Sequence, residues 1–210
     1  MKKIDVIDNF ETERLLWQEG FTHIMGLDEV GRGCLAGPVV AAGVIFPKDV
    51  IIEGITDSKK LSAERRTDLY KEICEKALAW SICEKSPAEI DHHNIYRASY
   101  LAMDDCISRS KITPDYLLVD GNVFPSKHML PYRCIVKGDL KSVSIGAASI
   151  LAKVHRDNLM MDLHQEYPWY GWDTNVGYAT KKHYAGLADK GYTIHHRQSF
   201  RLGTDKMYSP

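Results

Sequence analysis

The sequence predicts an α/β protein: a mixed sheet with helices on its faces, ending in a smaller helical extension over roughly residues 165–210. Three observations carry that reading. Two apolar runs, residues 22–27 and 39–46, open the patterned part of the chain as strands. Helical and strand patterns then alternate through the middle. The last stretch holds only short pieces punctuated by Pro168, Gly171, Gly177 and Gly191. With 210 residues the chain has length for one sizeable core, so a single domain over 1–210 is expected.

Taken in order, a short helix is expected over 11–17, then the strand over 22–27. Residues 31–38 are too glycine-rich and irregular for helix or ordinary strand, and the second strand follows over 39–46. Ser62 is placed to cap a helix running to about residue 78, ahead of a third strand over 80–84. Ser86-Pro87-Ala88-Glu89 has the spacing of a capping box and opens a short helix, with a longer one over 96–110. Residues 116–119 form an apolar run between Pro114-Asp115 and Gly121; it reads as a buried strand, although periodicity also allows a helix segment. A further strand over 133–136 and a long helix over 143–164 complete the predicted core.

Composition narrows the function. No apolar run approaches the length that spans a bilayer. The first twenty residues carry Asp5, Asp8, Glu11 and Glu13 in place of the basic and apolar regions of a secretory signal, so a cytoplasmic protein is expected. The five cysteines (Cys34, Cys74, Cys83, Cys106, Cys134) lack zinc or redox spacing and read as reduced thiols, several of them buried. The net charge of −1 does not favour nucleic acid, but phosphate contacts need only local positive charge. Lys59-Lys60, Arg65-Arg66, Lys137, Lys141, Lys153, Arg156 and Lys181-Lys182 are the clusters that supply it, or else are ordinary solvated surface.

Three places put carboxylates where packing would not choose them. Asp28-Glu29 ends the first strand directly before glycines, and Asp120 ends the run 116–119. Ligand sites in α/β sheets gather at the carboxyl ends of strands; the simpler reading of an acid before glycine is a turn. The third is Asp157, which falls in a helical stripe with Ile150, Val154 and Met161, or else forms an (i, i+4) pair with Lys153. If these acids converge, their repulsion requires cations, and an all-oxygen set suits Mg²⁺ or Mn²⁺ rather than zinc. Alternation along a strand sends Asp28 and Glu29 to opposite faces, so a shared site requires a bend after Asp28 or a contribution from the Glu29 carbonyl.

At this point the residues resemble a known family, the bacterial type 2 ribonucleases H, ribonuclease HII. The resemblance begins at Gly26-Leu27-Asp28-Glu29-Val30-Gly31-Arg32-Gly33 and Ala36-Gly37-Pro38. It continues through Asp57-Ser58-Lys59-Lys60-Leu61, Leu118-Val119-Asp120-Gly121, Lys137-Gly138-Asp139, Ser144-Ile145, Ala147-Ala148-Ser149-Ile150-Leu151-Ala152-Lys153-Val154 and Arg156-Asp157. It ends at Gly177-Tyr178, Thr180, His183, His196-Arg197 and Ser199-Phe200. Ala179 stands where a proline is common, and residues 201–210 match nothing usable.

The resemblance implies a ribonuclease H-like fold. It also implies an endonuclease that cuts the RNA strand of RNA–DNA hybrids and 5′ of single ribonucleotides embedded in DNA, leaving 3′-hydroxyl and 5′-phosphate. By it, Asp28, Glu29, Asp120 and Asp157 form the catalytic set that holds two divalent ions, Mg²⁺ or Mn²⁺. Gly31, Arg32 and Gly33 read the ribonucleotide, Tyr178 packs on the sugar of the adjoining deoxynucleotide, and Lys59 and Lys60 contact phosphates. His183 is expected near the site without a catalytic role. A monomer is expected, and because no clamp-binding sequence is recognisable in the tail, no protein partner is expected there. Two rivals stand beside this reading: a ribonuclease HIII-like enzyme, which usually carries an additional N-terminal substrate-binding domain, and a non-catalytic hybrid-binding protein, which would gain nothing from a repulsive acidic cluster.

Overall fold

A computed structural model describes residues 10–48, 50–55 and 61–201. Helix α1 (Glu11–Gln18) leads into strands β1 (Ile24–Val30) and β2 (Val39–Ile45), then α2 (Ala63–Lys76), β3 (Ala79–Lys85), α3 (Pro87–His93) and α4 (Ile95–Arg109). Strands β4 (Tyr116–Asp120) and β5 (Tyr132–Ile135) precede the long helix α5 (Val143–Glu166), and the short helices α6 (Trp172–Asn175) and α7 (Lys181–Lys190) follow. Among the described residues the strands form one sheet in the order β3-β2-β1-β4-β5. β1–β2 and β2–β3 are antiparallel pairs, while β1–β4 and β4–β5 are parallel. This is the mixed sheet expected. No described helix is long and apolar enough to cross a membrane.

Alternation sorts the side chains onto two faces. Val40, Ala42 and Val44 of β2 pack with Ala147, Ala148, Ile150 and Leu151 of α5 and with Leu69 and Ile73 of α2. Met25, Leu27, Leu117 and Val119 pack on the other face with Ala102, Met103 and Cys106 of α4. α5 lies close against β1 because Gly26 has no side chain: a Cβ there would stand 2.2 Å from the Ser144 carbonyl carbon and 2.4 Å from the Ile145 amide nitrogen. The start of α5 is also tied down by Glu13 of α1. This buried carboxylate accepts hydrogen bonds from the Ser142 hydroxyl (2.5 Å), the Ser144 hydroxyl (2.6 Å) and the Ser144 amide (3.1 Å). Burial holds its pKa above the usual value despite those bonds.

Local chemistry behaves as the sequence indicates at the helix starts. Ser62 accepts from the Arg65 amide at 3.1 Å, and Ser86 with Glu89 closes a reciprocal capping box. Residues 116–120 are strand, not helix. Two expectations need correction. β1 does not end at residue 27 but continues through Asp28 and Glu29, because β2 goes on pairing with it to Val30. The proposed stripe on α5 also fails at its end: Ile150 and Val154 are buried, but Asp157 is partly exposed and Met161 is 45% exposed, while Arg156 and Met160 are buried instead. Past Val154 the helix leaves the core it shares with the sheet. Its inward face is there set by the extension, where Met160 packs with Tyr170, Trp172, Leu187, Leu35 and Ala36.

Candidate active site

β1 outruns its parallel partner. Ile24 to Leu27 pair with Tyr116 to Val119, so Asp28 and Asp120 each stand one residue beyond the last pair, side by side on the face covered by α5. The Asp28 carboxylate accepts the Ser149 hydroxyl of α5 and the Glu29 amide at 2.7 Å. Asp120 accepts the Gly138 amide at 2.7 Å. Glu29 obeys the pleat and leaves from the other face. No bend precedes Gly31, since β1 stays paired with β2 through Val30. Its carboxylate is met at 2.9 Å by Arg32, whose guanidinium also lies 4.8 Å from the centre of the Tyr96 ring.

These three acids feel one another. Burial pushes the Asp28 carboxyl well above the usual carboxylate range, and the charges of Glu29 and then Asp120 push it further. Burial also raises Glu29, the Arg32 hydrogen bond and charge pull it back, and Asp120 raises it again. The donor set is all oxygen, and the repulsion between its members is the condition under which a hard divalent cation is drawn in. The chemistry therefore fits Mg²⁺ or Mn²⁺. The side chains do not stand as a ready cage, for among the described residues no three acids, histidines or cysteines are grouped closely enough to hold an ion as they are.

The structure does not bring Asp157 to this group. It lies two helical turns, about 12 Å along an ideal helix axis, beyond Ser149, the residue that touches Asp28. Its carboxylate is held by Lys153 at 2.7 Å and approached by Arg66 at 4.0 Å. The simpler sequence reading of Asp157, an (i, i+4) ion pair, is the one observed. Another acid follows directly in the chain on a residue that bonds Asp120. Asp139 directly follows Gly138, whose amide binds Asp120 and whose own Cβ, if it had one, would stand 3.3 Å from the Asp120 carboxylate. The turn that carries it, Gly138–Leu140, runs directly into α5. The signal for it in the sequence is the Lys137-Gly138-Asp139 block.

The glycine loop between β1 and β2 borders the acids. Gly31 has φ +92°, and a Cβ there would strike the Arg156 side chain at 2.3 Å, so only glycine fits. Gly33 is different: its added Cβ would meet only the edge of the Tyr178 ring at 3.8 Å. Packing does not demand that glycine, and the space beside it faces the tyrosine. Tyr178 is 42% exposed and shares a hydrogen bond with the Cys34 side chain, and burial raises its phenol pKa.

Behind Tyr178 sits His183, fully buried. Its Nε2 lies 3.2 Å from Trp172 Nε1 and 3.1 Å from His196 Nε2, while Thr193 N–H donates to His196 Nδ1 at 3.0 Å. Indole N–H can only donate, so His183 Nε2 accepts and its Nδ1–H donates to the Tyr178 carbonyl at 3.0 Å. His183 is thus a neutral support for the Tyr178 backbone. Lys59 and Lys60 fall outside the described residues. Arg156, counted among candidate surface cations, is buried and, among the described residues, bonds to the backbone carbonyls of Pro38, Val176 and Ala36.

Comparison with known proteins follows this geometry. The family model described as Ribonuclease HII matches residues 25–202. A Ribonuclease HII of Salinibacter ruber is 52% identical over 196 residues, covering 92% of this chain and 98% of that protein. Among solved structures, the ribonuclease H2 of Pyrococcus horikoshii superposes with TM-score 0.74 at 25% identity, over 85% of this chain and 94% of the other. The ribonuclease HII of Archaeoglobus fulgidus, solved as a complex with PCNA, gives 0.70 at 27% identity over 86% and 96%.

Proposed function

The chain belongs to the ribonuclease HII family and is a ribonuclease H; from that premise we propose that it cuts the RNA strand of RNA–DNA hybrids, and 5′ of single ribonucleotides in DNA, with two divalent ions. The observation that carries this reading is the meeting of Asp28, Glu29 and Asp120 at the carboxyl ends of adjacent strands, beside a glycine loop that leaves room at Gly33.

Asp28 and Asp120 share a face and would hold the ions between them, with Glu29 reaching in from the other side of β1. Bound Mg²⁺ or Mn²⁺ supplies activation of the attacking water and neutralises charge on the departing 3′-oxygen. The chain's own work is to keep three repelling carboxylates in place, which Ser149, the Glu29 amide, the Gly138 amide and Arg32 do by donating to them. For the fourth acid, what favours Asp139 over Asp157 is its place in the turn whose first residue binds Asp120. Asp157 is instead tied to Lys153.

The backbone of Gly31 to Gly33 approaches a sugar closely enough to bond a 2′-hydroxyl, the group that separates RNA from DNA. Arg32, once released from Glu29, pairs with a phosphate, and Tyr178 stacks on the neighbouring deoxyribose, where a 2′-hydroxyl would collide with the ring. Lys59 and Lys60 add phosphate contacts, and the enzyme acts as a single chain. The lack of a recognised clamp-binding sequence does not argue against a protein partner, since the Archaeoglobus fulgidus relative was solved with one.

The test is cleavage of a DNA duplex carrying one ribonucleotide, with Mg²⁺, with Mn²⁺ and with chelator. A metal-dependent cut on the 5′ side of the ribonucleotide is expected. Cutting of a long hybrid but not of this duplex would move the specificity to the ribonuclease HIII type. Binding of hybrid without metal and without cleavage would leave only the non-catalytic reading.

A further inference from the structure

We propose that Arg197 is a positioning residue for ribonucleotide recognition: its buried guanidinium fixes the direction in which the Arg32 and Gly33 amides point. The proposal rests on the reading of Gly31 to Gly33 as the loop that bonds the 2′-hydroxyl.

Arg197 is fully buried, yet its guanidinium meets no carboxylate within ion-pair distance among the described residues. Among the described residues the guanidinium's hydrogen bonds go to carbonyls of the glycine loop. Nη2 donates to Gly31 O at 2.6 Å and Gly37 O at 2.9 Å, Nη1 to Arg32 O at 2.9 Å, and Nε to Gly37 O at 3.0 Å. The Phe200 ring lies 5.1 Å from the guanidinium carbon. Burying a cation in this way is costly, and what offsets the cost is the set of loop carbonyls that its donors satisfy.

A trans peptide is planar, with its carbonyl and the following N–H pointing in opposite directions. Drawing the Gly31 and Arg32 carbonyls inward onto one guanidinium therefore turns the Arg32 and Gly33 amides outward, on the side away from Arg197. The loop has no helix or ladder of its own to set those peptide planes. Arg197 is itself held to the loop, since its amide donates to Leu35 O at 2.9 Å, Ala36 and His196 form a bridge, and Gly37 N–H donates to His195 O at 2.8 Å. On the far side, Asp91 of α3 accepts the Gln198 and Ser199 amides at 3.0 and 2.9 Å. The segment around Arg197 is thus strapped between α3 and the glycine loop, so that the guanidinium cannot follow a loop that drifts.

The experiment compares kcat/KM on a duplex with one ribonucleotide and on a uniform RNA–DNA hybrid, for the wild-type protein, Arg197→Lys and Phe200→Leu, with Tm for each. Lysine keeps the charge but cannot bond three carbonyls in one plane. Arg197→Lys should lose on the order of 30-fold on the single ribonucleotide and less than about 5-fold on the hybrid, where every register offers a 2′-hydroxyl. Phe200→Leu leaves the donors intact and should show the same bias at smaller amplitude, so that a poorly folded lysine variant does not end the test. Equal losses on both substrates, tracking Tm, would overturn the proposal and leave Arg197 a structural residue. If the wild-type protein cuts the hybrid but not the single ribonucleotide, the parent reading fails and this one with it. Wild-type cleavage of both with unbiased variants defeats this inference alone.

Discussion

At Asp28 three effects oppose a negative charge: burial first, then Glu29, then Asp120. Replacing that carboxylate by an amide of the same shape removes the repulsion. Asp28→Asn should raise the Tm of the metal-free protein at neutral pH by about 2–4 °C, as ~1 kcal/mol does for a chain of this size. It should also abolish cleavage. Mn²⁺ should raise the Tm of the wild-type protein, by linkage to the folded state, and leave the variant's nearly unchanged. A thermal melt with and without Mn²⁺ reads both effects, and a destabilised metal-free variant would argue against the repulsion. The choice of fourth acid also belongs to single residues. Asp139→Asn should lower kcat by on the order of 100-fold or more, and Asp157→Asn by less than about 10-fold, because only the former follows the amide that binds Asp120; the reverse order would restore Asp157.

At the scale of elements, the site depends on α5 lying flat against β1, and Gly26 permits this. Gly26→Ala would drive a Cβ into the backbone of Ser144 and Ile145. It should cost about 3 kcal/mol and shift Ser149 off Asp28, seen as a lowered denaturant midpoint and a weaker Mn²⁺ affinity. The elements themselves were legible in the sequence where chemistry is local. The Ser62 cap and the Ser86–Glu89 box are written in consecutive residues, and the apolar run before Asp120 announces a strand. What was not legible depends on partners distant in sequence. β1 extends to Val30 because β2 keeps pairing with it. Met160, not Met161, is buried because the extension rather than the sheet covers that end of α5. The same limit bears on the proposed choice of fourth acid: helical periodicity pointed at Asp157, while the neighbourhood of Asp139 is created by a turn whose first residue bonds Asp120. Arg156 reads as a charge in the sequence and is an internal donor in the fold, as is Arg197.

Across the whole molecule, the extension is more than a cover for the end of α5. It carries Tyr178 on a carbonyl held by His183, and it returns through His196 and Arg197 to the glycine loop. This network works only with neutral imidazoles, because His183 Nε2 already accepts from two donors. Burial lowers the His183 pKa and takes that of His196 to about 4. Unfolded histidine titrates near about 6.5. The unfolded chain therefore binds more protons between those values, so this contribution is intact above about pH 6.5 and lost progressively as pH falls toward about 4. Urea unfolding from pH 7.5 to 4.5 should show a declining midpoint that flattens when His196 is replaced by glutamine or asparagine; an unchanged slope would show that the imidazoles do not carry it.

The central claim is that a folded set of carboxylates performs metal-dependent cleavage at a ribonucleotide. Asp120→Asn tests it most directly, measured beside the wild-type protein under single-turnover conditions on a duplex with one ribonucleotide in Mg²⁺. The variant should keep its Tm within a few degrees, bind the duplex, and lose cleavage by on the order of 1,000-fold or more. Cleavage near the wild-type rate by a folded Asp120→Asn protein would contradict the account.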